Sequence, residues 1–376
     1  MGPAPSTPAD PWPPGLKVEA APEWTELFNR RRGWTGADGI FSVSLDGREQ
    51  PCVEKKQDTL FWFSDTFVGN VHDDDTRAGC GEEGATIMVN NSRALYRCDG
   101  SMDFNTTAIV PNTPASSTGD WCWLGDGVVI QGKLHILTQR LRTNPSEAEG
   151  WQFQTVGVVL LTWAVVGDVF SGDPSQIDAP LFSGGPDSSS FFGAGIMSNT
   201  KDAGAPHPDG FIYVYGVRFD LTLRVKFMLA SRTLPEDFED FDKWLFWDGA
   251  AWATGMENAS PVTDEVSDEL SVTALHNGKF ALVFQWNTLG AWTCMKIGDS
   301  PVGPWSQRLE LWNSMPEYPV KMMAYNSKAH PHLSKPGTLL VSVNYNACEF
   351  ADHFKHAGIY RPRFFRISWE GFCEEG

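Results

Sequence analysis

Residues 33–43, GWTGADGIFSV, and residues 59–68, TLFWFSDTFV, contain the pattern that decides the fold. The first stretch places small and polar residues before a short run of β-forming residues. The second is a nearly continuous apolar and aromatic run. Short apolar runs bounded by turn residues are typical of buried strands. The two stretches therefore predict neighbouring strands of one sheet, the first of them polar where it begins.

This order of a polar strand followed by an apolar strand recurs along the chain. Later polar stretches are DWCWLGDGVVI (120–130), SSFFGAGIM (189–197), SDELSVTAL (267–275) and NSKAHPHLS (326–334). Each is followed by an apolar strand and usually by a third strand of alternating pattern. In a β-propeller the first strand of every blade lines the central axis. Five such units predict an all-β, five-bladed β-propeller with a polar funnel, because a sandwich gives no reason for a polar cluster at the start of each unit.

The ends of the chain and its apolar runs indicate how it is organised. The opening MGPAPSTPADPWPPG is rich in proline, so we expect residues 1–22 to form an N-terminal tail and residues 23–376 a single propeller domain. The opening also lacks the apolar core of a signal peptide, which favours a cytoplasmic location unless a leader has been removed. No apolar run reaches the roughly 18 residues that span a bilayer, so no membrane partner is expected.

Charge and missing motifs exclude several classes of function. The net charge is −18 and the isoelectric point about 4.8, a balance that disfavours binding to nucleic acids or anionic membranes. The seven cysteines form no CxxC pair, and the chain contains no P-loop, dinucleotide fingerprint or HExxH motif. We therefore expect no cofactor, although a structural calcium ion at the propeller axis stays open. An oligosaccharide or polysaccharide remains a suitable partner, since the 16 tryptophans offer faces on which sugar rings pack.

Two aspartates are candidates for catalysis on such a substrate. Cleavage of a glycosidic bond uses two carboxyl groups, one as acid and the other as nucleophile or base. Asp38 lies between glycines that allow a ligand to approach, and Asp65 ends an apolar strand, where poor solvation would favour its protonated form. An Asx turn at Asp38 or a strand-end cap at Asp65 would explain each residue without function. Our hypothesis is that Asp38 is the nucleophile or base and Asp65 the acid.

Other funnel residues are predicted to bind the substrate. They come from the polar stretches of four units and comprise Trp34, Trp123, Asp126, Glu269, Lys328 and His330. Glu269 could also act as the acid. No metal-binding residues are predicted.

Several of these stretches resemble a known family. GWTGADGIFSV followed by LFWFSDTFVG resembles the first blade of five-bladed propeller glycoside hydrolases that include bacterial endo-D-arabinanases and related domains. Residues 295–305, MKIGDSPVGPW, and residues 324–346, with their His-Pro pair, are similar to later segments of arabinanase-like propellers. The resemblance covers residues 30–368 and implies that Asp38 and Asp65 match the catalytic pair.

The sequence therefore predicts a glycoside hydrolase that acts on a glycan, including an arabinan-like furanoside among the candidates. A propeller that binds glycans without cleaving them is the main alternative. A lyase or phosphorylase is a third. The spacing of the two carboxyl groups distinguishes the first two, because a pair well beyond about 10 Å could not act on one bond.

Overall fold

The protein is described by a computed structural model that is nearly all β. The described residues are 15–50, 58–106, 119–146, 152–167, 170, 172–185, 187–315 and 319–369. Within them lie two short α-helices, α1 (Pro22–Leu27) and α2 (Asp352–Lys355). None of the helices in these ranges has the length and apolar character to span a membrane.

Twenty-six strands are assigned in the described ranges. The first twelve are β1 (Lys17–Ala20), β2 (Arg32–Ala37), β3 (Phe41–Ser44), β4 (Thr59–Phe63), β5 (Thr66–Asn70), β6 (Ile87–Val89), β7 (Ser92–Tyr96), β8 (Met102–Asn105), β9 (Trp121–Ile130), β10 (Lys133–Thr143), β11 (Phe153–Ala164) and β12 (Ser175–Ala179). The next seven are β13 (Phe182–Gly184), β14 (Ser188–Asn199), β15 (Phe211–Asp220), β16 (Val225–Thr233), β17 (Leu245–Trp247), β18 (Trp252–Thr254) and β19 (Thr263–Asp264). The last seven are β20 (Leu270–Ala274), β21 (Phe280–Gln285), β22 (Trp292–Gly298), β23 (Leu309–Asn313), β24 (Met322–Ala329), β25 (Leu339–Ala347) and β26 (Arg363–Ser368). Four 3₁₀ turns lie at Pro235–Asp237, Phe241–Lys243, Met256–Asn258 and Pro331–Leu333.

Five antiparallel sheets of the described chain stand around a central axis. They are β3-β4-β7-β8, β9-β10-β11-β12, the sheet built on β14-β15-β16, β20-β21-β22-β23, and β24-β25-β26-β1. The inner strands β3, β9, β14, β20 and β24 follow one another around the axis, each packed against the next. These are the polar stretches of the sequence, and the prediction of an all-β propeller is confirmed.

The ring is closed by the two ends of the chain. Strand β1 pairs antiparallel with β26, with Lys17 opposite Ser368, and so becomes the outer strand of the last sheet. Residues 17–20, which we assigned to the N-terminal tail, therefore belong to the propeller. Residues 1–14 of that predicted tail lie outside the described ranges.

Alternate residues of the apolar strands fill the spaces between neighbouring sheets. In β4, Leu60 and Trp62 pack against the second sheet, whereas Phe61 and Phe63 pack against the last sheet and α1. A strand whose two faces are both buried has a continuous apolar sequence, and this explains residues 59–63, TLFWF. Burying each large apolar side chain contributes about 1.5–3 kcal/mol, so these layers stabilise the ring around its whole circumference.

A small sixth sheet marks the position of the candidate site. Strand β2 continues into β3 and β4 continues into β5, but the outer parts pair separately as β2-β5-β6. The break lies at Asp38–Ile40 on one strand and at Ser64–Asp65 on the other. Gly39 and Ile40 have positive φ values of 85° and 47°, which interrupts the regular ladder there.

Candidate active site

The break in the first sheet brings Asp38 and Asp65 together. Ala37 and Thr66 form the last pair of the β2–β5 ladder, and the two aspartates follow it directly. The N–H of Asp38 donates to the carbonyl of Asp65 (3.3 Å), and the N–H of Ser64 donates to the carbonyl of Asp38 (2.9 Å). The two carboxyl groups lie close enough for the charge of Asp38 to raise the pKa of Asp65, so they are neighbours, as the sequence hypothesis requires.

Asp38 is surrounded by groups that favour its charged form. The hydroxyl of Tyr325 donates to its Oδ2 (2.6 Å), and Tyr325 in turn accepts from Nδ2 of Asn346 (3.1 Å). Burial raises the pKa of Asp38, and the hydroxyls of Tyr325 and Tyr360 and the charge of Lys328 oppose that rise. Its Oδ1 is buried and has no hydrogen-bond partner among the described residues.

Asp65 is stabilised by fewer donors. Burial, and then the charge of Asp38, raises its pKa to about 7, and the indole N–H of Trp123 opposes the shift. The side chain of Asn91 holds Trp123 in place, because it donates to the carbonyl before Trp123 (3.0 Å) and accepts from the N–H after it (3.4 Å). Phe153 packs edge-on against the indole, with ring centroids 4.7 Å apart. The structure thus brings the predicted Trp123 to the acid candidate.

Glu269 approaches the pair from the start of the fourth sheet. With its amide oriented to satisfy its neighbours, Asn326 donates to both carboxyl oxygens of Glu269 (3.0 and 2.8 Å) and accepts from the N–H of Gly39 (2.8 Å). Burial, and then the charge of Asp268, raises the pKa of Glu269 to about 7, and Asp38 adds to the shift. Glu269 is therefore a third carboxyl group linked to the loop of Asp38.

Lys328 lies below the pair as a buried cation and does not face a substrate. It is 3% exposed, and its Nζ donates to the carbonyl of Gly39 (2.5 Å). Burial lowers its pKa to about 8, against the opposing charges of Glu269, Asp126 and Asp38. The prediction that Lys328 binds the substrate is therefore wrong, because its ammonium group is enclosed by protein.

Asp126 connects two sheets and is not free for a ligand. Its Oδ1 accepts from the N–H of Gly127 (2.9 Å) and its Oδ2 from the N–H of Ile196 (2.7 Å). Asp126 thus links β9 to β14, whereas the sequence predicted that it contacts the substrate. Asp126 also borders a cavity in the opposite half of the axis, whose polar lining includes Glu49, Thr273 and His332.

Trp34 belongs to the core and not to the funnel. It is 1% exposed, and its ring packs against Phe28, Phe63 and Phe104 at centroid distances of 4.8–5.8 Å. It lies on β2, which pairs with β5 in the small sheet and does not line the axis. The prediction that Trp34 contacts the substrate is therefore wrong.

His330 is also structural. It is 1% exposed, its Nδ1 hydrogen-bonds to the hydroxyl of Ser42 (2.6 Å), and its Nε2 to that of Ser342 (2.8 Å). Both ring nitrogens are occupied, and burial keeps its pKa well below the usual range. His330 thus joins the first sheet to the last one and cannot bind a substrate as predicted.

His330→Ala should therefore destabilise the fold. We expect the free energy of unfolding to fall by about 2–4 kcal/mol, because the buried hydroxyl of Ser342 and the half-buried hydroxyl of Ser42 lose their partner and a cavity forms. Urea unfolding at pH 7 measures this loss. The control is His207→Ala, an exposed position where a change within about 0.5 kcal/mol is expected. Equal losses in the two variants would contradict the role assigned to His330.

Four residues that contact the site were missed by the sequence analysis. They are Asn91, Tyr325, Asn326 and Tyr360. Tyr325 and Asn326 lie in the segment that also suggested Lys328 and His330, so their position in a polar stretch was a usable signal. Tyr360 follows α2 in an irregular segment, where no periodic pattern exists to point to it.

Across the described ranges, no three His, Cys, Asp or Glu side chains are grouped so that they could hold an ion. The carboxyl groups of Glu269, Asp126 and Asp38 instead surround the ammonium group of Lys328.

Comparisons with known proteins concern the family and the fold. The family model described as "Domain of unknown function (DUF5005)" matches residues 22–369. No curated protein matches the chain. A solved structure of a "putative hydrolase" from Bacteroides ovatus ATCC 8483 is similar, with a TM-score of 0.69 and 18% identity over 94% of this chain and 90% of that one. This likeness supports the fold.

Two further solved structures match more weakly. Zg3597, a family 117 glycoside hydrolase from Zobellia galactanivorans, has a TM-score of 0.44 and 11% identity over 94% of this chain and 90% of that one. An exo-β-1,3-galactanase from Phanerochaete chrysosporium has a TM-score of 0.44 and 10% identity over 94% of this chain. The match spans 64% of the galactanase chain, less than two thirds of its length.

Proposed function

We propose that this chain, which belongs to the DUF5005 family, is a glycoside hydrolase in which Asp38 and Asp65 cleave the glycosidic bond. The observation that carries the proposal is the pairing of these two carboxyl groups at the break in the first sheet. Each has a buried oxygen without a partner in the described chain, and each residue keeps part of its surface exposed. A carboxyl group that holds its proton beside one that is ionised is what acid and nucleophile chemistry on one bond needs.

The contacts of the two residues support different roles. Asp38 receives the hydroxyl of Tyr325 and lies near the charge of Lys328, so its anion is the better stabilised of the two. Asp65 has the indole of Trp123 nearby, without a formed hydrogen bond, and its pKa is raised to about 7, which suits a group that holds a proton at neutral pH. Asp38 is thus proposed as the nucleophile and Asp65 as the acid.

For this pair we propose a retaining reaction, in which the two carboxyl groups lie about 5–5.5 Å apart, whereas inverting enzymes need about 6.5–9.5 Å for a water molecule. The proposal rests on the effect of the Asp38 charge on the pKa of Asp65, which requires that the two carboxyl groups are close together. In the first step Asp65 gives its proton to the leaving oxygen while Asp38 bonds to the anomeric carbon. In the second, Asp65 takes a proton from water, whose oxygen displaces Asp38.

The class of sugar rests on the resemblance described above. Similarity to endo-D-arabinanase propellers makes furanosides, including arabinan, the first substrates to examine. Trp123 is the proposed platform for a sugar ring, because it lies beside Asp65 and remains partly exposed. The acidic surface suits a neutral glycan better than an anionic one.

A panel of chromogenic furanosides and pyranosides, together with natural polysaccharides, tests the proposal. We expect the purified chain to release reducing ends from at least one member, and NMR of the first product to show the anomeric configuration of the substrate. Binding to a glycan without cleavage would favour the non-catalytic alternative. Release of the opposite anomer would exclude the retaining mechanism.

A further inference from the structure

Strand β24 contains a bulge that faces the catalytic pair. Its pairing with β25 shifts register between Tyr325 and Lys328, and Asn326 adopts a φ of 58°. A positive φ is uncommon for residues other than glycine, although asparagine tolerates it better than most. Bulges re-aim side chains and are frequent beside active sites. Here the bulge lets three side chains of one short segment reach the same loop.

Those three side chains hold two consecutive residues of the first sheet. Tyr325 donates to the carboxylate of Asp38 (2.6 Å), Asn326 accepts from the N–H of Gly39 (2.8 Å), and Lys328 donates to the carbonyl of Gly39 (2.5 Å). Both backbone groups of Gly39 are therefore held by β24. We call Tyr325, Asn326 and Lys328 the β24 clasp.

The other side of this loop is equally constrained. Gly39 has a φ of 85°, and a Cβ at this position would lie 2.9 Å from the backbone nitrogen of Ser64. No other residue fits there without moving Ser64, the neighbour of Asp65. The position of Asp38 relative to Asp65 is therefore set between the clasp and the second strand of the first sheet.

Around the β24 clasp, the acidic side chains outnumber the basic ones. The titratable groups that face Lys328 from the other inner strands and their connections are, in decreasing order of their effect on its pKa, Glu269, Asp126 and Asp38. Those that face Asp38 are Asp65, Glu269, Tyr325, Tyr360 and Lys328. The hydroxyls of Tyr325 and Tyr360 oppose the effect of burial on the pKa of Asp38, and Lys328 adds the positive charge that acts in the same direction. Glu269, in contrast, has Lys226 nearby in addition to Lys328.

We propose that Lys328 is a positioning residue that acts, through the β24 clasp, as the internal counter-ion of Asp38 and so determines that the proton of the pair resides on Asp65. The inference rests on the proposed function for the roles of the two aspartates. It goes beyond that function because it names a residue that no substrate can touch as the cause of the different roles of the two aspartates, one as acid and one as nucleophile. Lys328 is suited to this because its ammonium group is enclosed and fixed to the backbone of the residue after Asp38.

Lys328→Met removes the charge and keeps much of the side-chain volume. We expect the titration of Asp38 to move up by about 1–3 pH units, the range over which a nearby opposite charge acts. The titration of Asp65 should move to lower pH. Asp38 then stays uncharged over part of that pH range and no longer disfavours the charged form of Asp65. Carboxyl ¹³C NMR of protein labelled at aspartate follows both groups, and Asp38→Asn and Asp65→Asn assign the signals.

The opposite direction of the two shifts is the decisive readout, because a merely structural role would not exchange the proton between the aspartates. An Asp38 titration that stays within about 0.3 units in folded Lys328→Met would overturn the proposal. Lys296→Met is the matched control, since Lys296 of the fourth sheet is 4% exposed and pairs with Asp264 of β19. It should leave both titrations unchanged. If Lys328→Met does not fold, Lys328→Gln, which keeps a donor for Gly39, is measured with the same criterion.

The NMR experiment needs no substrate, so its failure is distinct from a failure of the proposed function. On a cleaved glycan, the acidic limb of the kcat/KM profile should move up by the same 1–3 units in Lys328→Met, because Asp38 must be ionised to react. Lys328→Arg, which restores the charge, should recover part of that shift.

Discussion

Asp38→Asn is expected to lower kcat/KM by about 10⁴-fold on any glycan that the wild-type chain cleaves. An amide cannot bond to the anomeric carbon as a carboxylate does, and it also removes the charge that keeps Asp65 protonated. The fold should be retained, because the backbone hydrogen bonds between the two strands do not involve this side chain. Steady-state kinetics and circular dichroism measure the two effects.

The control for this substitution is Asp178→Asn, at a side chain that is 79% exposed on the outer strand of the second sheet. It removes the same charge far from the pair and should leave kcat/KM within about twofold of wild type. If Asp38→Asn kept more than a tenth of the wild-type rate, Asp38 would not be the nucleophile.

Asp65→Asn should show the signature of a lost acid. For a natural glycan, whose leaving group needs a proton, kcat/KM should fall by about 10²–10⁴-fold. For an aryl glycoside with an acidic phenol as leaving group, the bond-breaking step needs little protonation, so a much smaller loss is expected. The ratio of the two losses measures the role of Asp65 as acid.

The pH profile gives a second readout of the same residue. Asp65 must be protonated to act as the acid, and its pKa is raised to about 7. The wild-type rate should therefore fall as the pH rises through about 7, and Asp65→Asn should lose this alkaline limb. An unchanged limb in Asp65→Asn would assign the acid to another group, and Glu269, whose pKa is also raised to about 7, would be the first to examine.

The recurrence of polar and apolar strands was sufficient to predict the propeller and the adjacency of Asp38 and Asp65. Both follow from local pattern, since strands close in sequence pair with each other and their register brings opposite residues together. Trp123 and Glu269 lie beside the pair for the same reason, because they stand at or near the start of inner strands, and their contact with a substrate stays a prediction.

Trp34, Lys328 and His330 show where such reasoning stops. Trp34 lies beyond the break at Asp38, so its strand belongs to the small sheet and its ring to the core. Lys328 lies on inner strand β24 and His330 follows that strand directly. Both side chains are nevertheless enclosed by partners from other sheets. Whether a polar residue faces a ligand or a buried partner depends on distant residues such as Ser342, and strand periodicity does not contain that information.

The β24 clasp was missed for a related reason. A bulge changes the alternation of side chains, and in this strand it depends on one asparagine with positive φ. Tyr360 joins the same site from an irregular segment. These contacts arise from the closure of the ring, because the first and last sheets meet only when the propeller is complete.

The most direct test of the central claim compares wild type, Asp38→Asn and Asp178→Asn for the release of reducing sugar from one glycan panel. Our account predicts that wild type and Asp178→Asn release sugar from the same member at similar rates, and that Asp38→Asn releases about 10⁴-fold less. Equal release by wild type and Asp38→Asn would contradict it. So would a wild-type protein that binds a member of the panel and cleaves none.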